Sequence, residues 1–378
     1  MYAAVMTVAD KKTVPMFDLT RQWAGLHEEF LRKLNDFLPQ QQLVLGEVTR
    51  DFEAQLAKKL GVRHVVAVSS GTDALLMALT ALDVGRGDEV IVPAFTFFST
   101  ASVVSRLGAK PVFVDILPET FNINPDAIQH ALSPRTKAII AVHLFGHPAQ
   151  MDRIVAIAES RKIAVIEDCA QALGAELYGQ QVGSFGLMGC FSFYPTKNLG
   201  ALGEGGAVCT NCDELARRLR RIRTHGSEEK YVHEELGGNF RLSALQSLAL
   251  MVKLPHLEEW LQSRRRNAQL YLQRLERISE LILPAEMQGA THSWNQFCIR
   301  TNRREYLRDF LKRNGVGTEV YYPRPVCLQP AFASLGYLPG DFPVTDRVCA
   351  EVLALPIFPE LREDELTYVC DKIAEFFM

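Results

Sequence analysis

Between His64 and Ile166 the chain alternates short apolar runs with amphipathic stretches, and this rhythm limits the possible folds more than any other feature. Strands are expected at 64–68, 89–92, 111–115, 137–143 and 163–166, and helices at 72–82, 97–107, 125–132 and 151–161. Short apolar strands separated by helices of roughly ten residues become parallel neighbours buried on both faces, so the pattern predicts an α/β fold. In such a sheet ligands bind beyond the carboxyl ends of the strands. The residues that follow each strand are therefore the ones on which function should be sought.

Two amphipathic helices precede the rhythm. One is expected from Phe17 to Leu38, with Trp23, Leu26, Phe30, Leu34 and Phe37 on one face. The other opens near Gly46, carries Val48, Phe52, Leu56 and Leu60, and closes at Gly61. They read as an arm. Beyond the sheet, 242–261 reads as a long helix kinked at Pro255, leading to a smaller α/β layer with elements at 296–300, 306–312, 318–322 and 363–377. A chain of 378 residues suits such a division, placed at 1–255 for the arm and large domain and 256–378 for the small domain.

Composition excludes several classes of partner. The net charge is −3 and no long basic stripe runs through the sequence, against nucleic acid as the main partner. The clusters Arg217-Arg218-Leu219-Arg220-Arg221 and Arg264-Arg265-Arg266 read as solvated helix faces. No run approaches the roughly twenty apolar residues that cross a bilayer, and Met1 to Met6 lacks the basic start and apolar core of a signal peptide. Eight cysteines lie scattered, mostly in apolar patterns, which points to a reducing cytoplasm. Cys209-Thr210-Asn211-Cys212 has no second pair at zinc-ligand spacing, so no metal is expected.

The strand ends carry the chemistry. After Val68, Ser69-Ser70-Gly71-Thr72-Asp73 is a turn into a helix whose free N–H groups suit a phosphate, although an ordinary N-cap explains the same residues. After Val92 come Phe95, Phe97 and Phe98, where a flat ring can be sandwiched and where some rings must be core. His143 and His147 follow the next strand, with either hydrogen-bonding or functional work to do. Glu167-Asp168 ends a buried strand, where a carboxylate needs a cation such as a protonated pyridine nitrogen, and Gln171 follows one helical turn on. The run Cys190 to Tyr194 reads as a strand stopped by Pro195. Lys197 then sits in a loop with five glycines between Gly189 and Gly206, an arrangement suited to holding an aldehyde cofactor as a Schiff base.

Taken in order, Ser70-Gly71-Thr72-Asp73-Ala74-Leu75, Pro93-Ala94-Phe95-Thr96-Phe97, Glu167-Asp168-Cys169-Ala170-Gln171, Ser192-Phe193-Tyr194-Pro195-Thr196-Lys197, Gly203-Glu204-Gly205-Gly206-Ala207 and Gly238-Asn239-Phe240-Arg241-Leu242 resemble the DegT/DnrJ/EryC1/StrS sugar aminotransferases. The resemblance runs from Val14 to the C-terminus. It implies a fold type I enzyme dependent on pyridoxal 5′-phosphate (PLP), with a mostly parallel seven-stranded sheet between helices and a smaller C-terminal α/β domain. Lys197 would carry the cofactor and shuttle the proton, and Asp168 would keep the pyridine nitrogen protonated. Gln171 would reach the phenolic oxygen, Phe97 would stack on the ring, and Ser70, Gly71, Thr72 and Ser192 would hold the phosphate. Asn239 would arrive across a homodimer interface. Arg241 and Tyr322 are the candidates for the substrate; Tyr321 stands where relatives often carry histidine, and Phe145 where some carry tyrosine.

The activity implied is amino transfer from glutamate, through pyridoxamine phosphate, to a dTDP- or UDP-linked ketohexose, with carbon 3 favoured over carbon 4 by the 225–241 segment. The product would enter a bacterial surface glycan or a secondary metabolite. A dehydratase on the same cofactor would replace Lys197 with histidine. A regulatory protein that binds PLP without turnover is the remaining alternative.

Overall fold

The computed structural model describes residues 12–378; the Met1 to Met6 segment lies outside the described residues. The arm consists of α1 (Leu19–Phe37), capped by the Asp18 carboxylate accepting from Thr20 N–H at 2.9 Å, and α2 (Glu47–Leu60), closed by Gly61 in the left-handed region. The large sheet follows in the expected rhythm: β1 (His64–Val68), α3 (Gly71–Thr80), β2 (Glu89–Pro93), α4 (Phe98–Arg106), β3 (Lys110–Val114), α5 (Pro125–Ala131), β4 (Thr136–Val142), α6 (Met151–Glu159) and β5 (Ala164–Asp168).

A small three-stranded sheet begins with β6 (Glu176–Leu177) and β7 (Gln180–Gln181), and the large sheet is completed by β8 (Met188–Ser192) and β9 (Gly206–Thr210). The seven strands lie in the order β1-β9-β8-β5-β4-β2-β3, and β9 alone runs antiparallel to its neighbours. The β8 to β9 connection is the loop bearing Lys197, not a helix, which is why this return strand breaks the parallel pattern. All five residues of β2 and of β9 are buried, as layers on both faces require.

After α7 (Asp213–Arg223), the long helix read at 242–261 is two helices, α8 (Ala244–Lys253) and α9 (Leu257–Leu275). One turn of 3-10 helix at Leu254–His256 separates them, because Pro255 has no N–H to continue the α ladder. β10 (Ala290–Thr291) joins β6, and β11 (Phe297–Arg300) pairs antiparallel with β12 (Val352–Leu355). α10 (Arg304–Arg313), α11 (Pro343–Glu351) and α12 (Glu363–Phe377) complete this layer. The element expected at 318–322 is a single bridge between Glu319 and Ala354. The core around Tyr271, Phe297 and Leu353 continues into Phe95, Phe121 and Phe145 at the strand ends of the large sheet.

The arginine clusters behave differently from a solvated face. Arg218 pairs with Asp83 and Glu235, and Arg221 with Glu234 and Glu235. Arg264 is buried, donating to the carbonyls of Trp294 at 3.1 Å and Ile357 at 2.9 Å, and burial pulls its pKa down to about 10. A guanidinium can hold several carbonyls at once, which overrides the surface preference of arginine. Lys253 is also buried: its ammonium donates to the Gly200 carbonyl at 2.8 Å and lies 4.6 Å from the Trp23 ring centroid. Seven of the eight cysteines are buried and all are free. Among the described residues no helix is long and apolar enough to cross a membrane.

Candidate active site

A cavity of about 480 Å³ opens where the large sheet's strand ends meet the 321–322 segment. β1 delivers the Ser70-Gly71-Thr72 turn. Ser70 is indeed the N-cap of α3, accepting from Asp73 N–H at 3.1 Å, so the capping reading holds. It does not exclude the other, because the helix leaves the Gly71 and Thr72 N–H groups unused and both residues line the cavity. A Cβ at Gly71 would stand 2.7 Å from that of Ser192, and one at Gly206 would collide with the Ser70 backbone. Positions 71 and 206 therefore admit only glycine.

The three phenylalanines divide as their surroundings dictate. Phe95 is core, edge-on to Phe145 and Tyr322. Phe98 packs on Phe332. Phe97 is 56 % exposed, lines the cavity and lies 6.2 Å from the Tyr322 ring centroid, the place a planar group would share with it.

β5 delivers Asp168, whose Oδ2 accepts from Thr100 Oγ1 at 2.9 Å and whose Oδ1 accepts from Ala170 N–H at 3.1 Å. Burial pushes its pKa up, against those donors and the nearby Lys197. Gln171 is locked: its Oε1 accepts from Phe145 N–H at 2.7 Å, and its amide donates to the Tyr322 hydroxyl at 3.3 Å. Burial keeps that phenol protonated.

The loop after β8 holds Lys197 by its ends. Lys197 N–H donates to the Tyr194 carbonyl, Ala201 N–H to that of Phe193, and the Asn198 amide to those of Leu173 and Ser293. A Cβ at Gly200 would strike the Pro195 carbonyl, so the turn needs glycine there. Loss of water around the amine lowers the Lys197 pKa to about 8, partly offset by Asp168.

Of the residues expected from sequence, Ser70, Gly71, Thr72, Phe97, Asp168, Gln171, Ser192, Lys197 and Tyr322 all line this one cavity. Asn239 and Arg241 do not; Arg241 Nε donates to Asn239 Oδ1 at 2.9 Å on a strip beside β1. Glu204, Gln296 and Tyr194 also line the cavity. Glu204 and Tyr194 stand in motifs that carry the family resemblance, whereas Gln296 comes from the far layer and carries no local signal.

His143 and His147 stay outside. Nε2 of His143 donates to Glu167 at 3.0 Å while its Nδ1 accepts from Ala149 N–H, so the ring is neutral and fully used. His147 is similarly bound between Pro148 and Met287, and burial lowers its pKa to about 4.

A buried lysine of lowered pKa, a buried carboxylate and a helix N-terminus around one cavity suit PLP, and the likeness to solved aminotransferases makes the chain a fold type I enzyme that carries it. The chain belongs to the DegT/DnrJ/EryC1/StrS aminotransferase family, whose model matches residues 25–374. It is 45 % identical over 360 residues to the UDP-N-acetyl-3-dehydro-α-D-glucosamine 3-aminotransferase of Acidithiobacillus ferrooxidans, covering 95 % of this chain and 97 % of that one. It is 48 % identical over 366 residues to a pleiotropic regulatory protein of Geobacillus stearothermophilus, covering 96 % and 98 %. The crystal structure of DesV from S. venezuelae superposes with a TM-score of 0.94 at 39 % identity, covering 96 % and 98 %. The protein is a PLP-dependent sugar aminotransferase.

Proposed function

We propose that the enzyme moves an amino group from glutamate to the keto carbon, at position 3, of a UDP- or dTDP-linked hexose, supplying a bacterial surface glycan or secondary metabolite. The observation that carries this reading is the convergence of Lys197, Asp168 and the α3 N-terminus on one cavity, in a chain similar along its length to proteins named as 3-amino transaminases of UDP- and dTDP-sugars.

PLP, when bound, supplies an electrophilic carbon and a ring that absorbs carbanion charge. The protein does the rest. Gly71, Thr72, Ser70 and Ser192 would hold the phosphate, Phe97 would stack on the ring, Gln171 would meet its phenolic oxygen, and the Asp168 carboxylate would keep its nitrogen protonated. Lys197, neutral in part at physiological pH, takes and returns the proton at the substrate carbon. Tyr322 and Arg241 orient the sugar nucleotide.

Asn239 and Arg241 act in the partner's cavity of a homodimer. Their place outside their own cavity supports this, as do exposed Leu43, Val44, Tyr231 and Leu236 on the adjoining surface. A division into domains at residue 255 is supported by the break in helix between α8 and α9. Reduced, buried cysteines suit the cytoplasm.

An absorption spectrum tests the proposal. A visible-edge band that moves to the near ultraviolet with glutamate supports the donor and the cofactor lysine; a spectrum unchanged by glutamate while another amino acid shifts it rejects the donor. Product analysis then separates carbon 3 from carbon 4. The similarity to a regulatory protein favours a second reading, PLP binding without turnover, which is selected if the band forms and no ketosugar is aminated.

A further inference from the structure

One oxygen of Asp168 meets a chain of two hydroxyls, the outer of which, Thr96, also lines the cavity. Thr100, in the first turn of α4, and Thr96, one turn earlier, are both buried, with their Oγ1 atoms 2.9 Å apart. An ionised Asp168 only accepts, so Thr100 spends its one hydroxyl proton on Oδ2 at 2.9 Å and must itself accept from Thr96. The direction of both bonds is thereby fixed: Thr96 to Thr100 to Asp168. Hydroxyls aligned in this way polarise one another and favour the carboxylate.

We propose that Thr100, backed by Thr96, is a positioning residue that keeps Asp168 ionised and aimed at the ring nitrogen of the cofactor. The inference rests on the pairing of Asp168 with that nitrogen given above. The other groups near Asp168 do not perform this task. Lys197 faces it across the cavity and is engaged by the chemistry. His143, at the end of β4, is neutral and occupied by Glu167 and Ala149. Burial keeps the Cys169 and Cys190 thiols and the Tyr322 phenol protonated, and Glu167 turns to the 183–186 backbone. Asp168 otherwise takes only the Ala170 N–H among the described residues, which fixes Oδ1 and leaves Oδ2 to the threonine.

The test is the ¹⁵N chemical shift of ring-labelled PLP in the holoenzyme, with the cofactor dissociation constant measured alongside. Thr100→Val keeps shape and removes the donor; Thr100→Ser keeps the donor and removes a methyl. Thr100→Val should move the ring nitrogen toward its unprotonated position and weaken cofactor retention on the order of tenfold, the scale of a hydrogen bond to a charged group. Thr100→Ser should stay at the wild-type position, and Thr96→Val should move in the same direction as Thr100→Val by less. A signal that moves in Asp168→Asn but not in Thr100→Val overturns the relay. So does equal behaviour of the valine and serine variants, which would mark a packing role. If Thr100→Val does not fold, an unmoved signal in Thr96→Val overturns it. An unmoved signal in Asp168→Asn means that the pairing itself is wrong, and the inference falls with it.

Discussion

Glu167 and Asp168 are chain neighbours at the end of β5, both buried, yet they point to opposite faces of the sheet and live by opposite rules. Glu167 is saturated. Its oxygens accept from Gly183, Phe185 and Gly186 N–H at 2.7 to 2.8 Å and from His143 at 3.0 Å. Asp168 accepts from one N–H and one hydroxyl and keeps acceptor capacity toward the cavity. Among the described residues His143, Glu167 and Cys169 form the one grouping with metal-ligand composition, in which the His143 nitrogens and Glu167 oxygens already bond one another and the backbone. A buried acid whose acceptor sites are filled by three backbone N–H groups and a histidine builds a loop; one left short of partners is free for a ligand.

The comparison can be broken from either side. Lys197→Ala should have the largest effect, a loss of roughly 10⁴-fold or more in turnover measured with glutamate and a ketosugar, because no other cavity amine can replace it. Appreciable transamination by that variant would sink the assignment. Asp168→Asn should cost turnover roughly 10²- to 10³-fold with little change in thermal midpoint, since in the proposed mechanism that charge serves the cofactor rather than the fold. Glu167→Gln should do the reverse. An amide nitrogen set among N–H donors should lower stability by about 2 to 4 kcal/mol in denaturant titration, while the folded fraction retains its absorption band.

Smaller still is the effect of pH on cofactor loading. Lys197 reacts only unprotonated, and its pKa is lowered to about 8, so the neutral fraction grows as pH rises through that value. Loading of the apoprotein with PLP should therefore speed up about tenfold from pH 7 to pH 9 and then level off. A rate still climbing steeply above pH 10 would mean that the amine is solvated like an ordinary lysine.

The two acids also show how far the sequence is legible. The apolar run into Glu167-Asp168 marks a strand end and demands a partner, and nine of the proposed site residues meet in one cavity. Which acid faces the ligand is not legible locally, because it depends on whether the 183–186 turn folds back on β5. Periodicity likewise locates the helices of the large domain within a few residues. It misses what is fixed at long range: the antiparallel return of β9, the burial of Arg264 among three segments, and Gln296 reaching the cavity from the other layer.

Lys253 ties the Lys197 loop to the arm, since one ammonium both binds the Gly200 carbonyl and rests on the Trp23 ring of α1. Any ligand that steadies the loop must then steady the arm by the same free energy that the arm returns to the loop. Amide exchange in α1 should slow when the cofactor binds, and Trp23→Ala should loosen cofactor retention although Trp23 does not line the cavity. The helix that begins the described fold thus serves as a gauge of what the cavity holds.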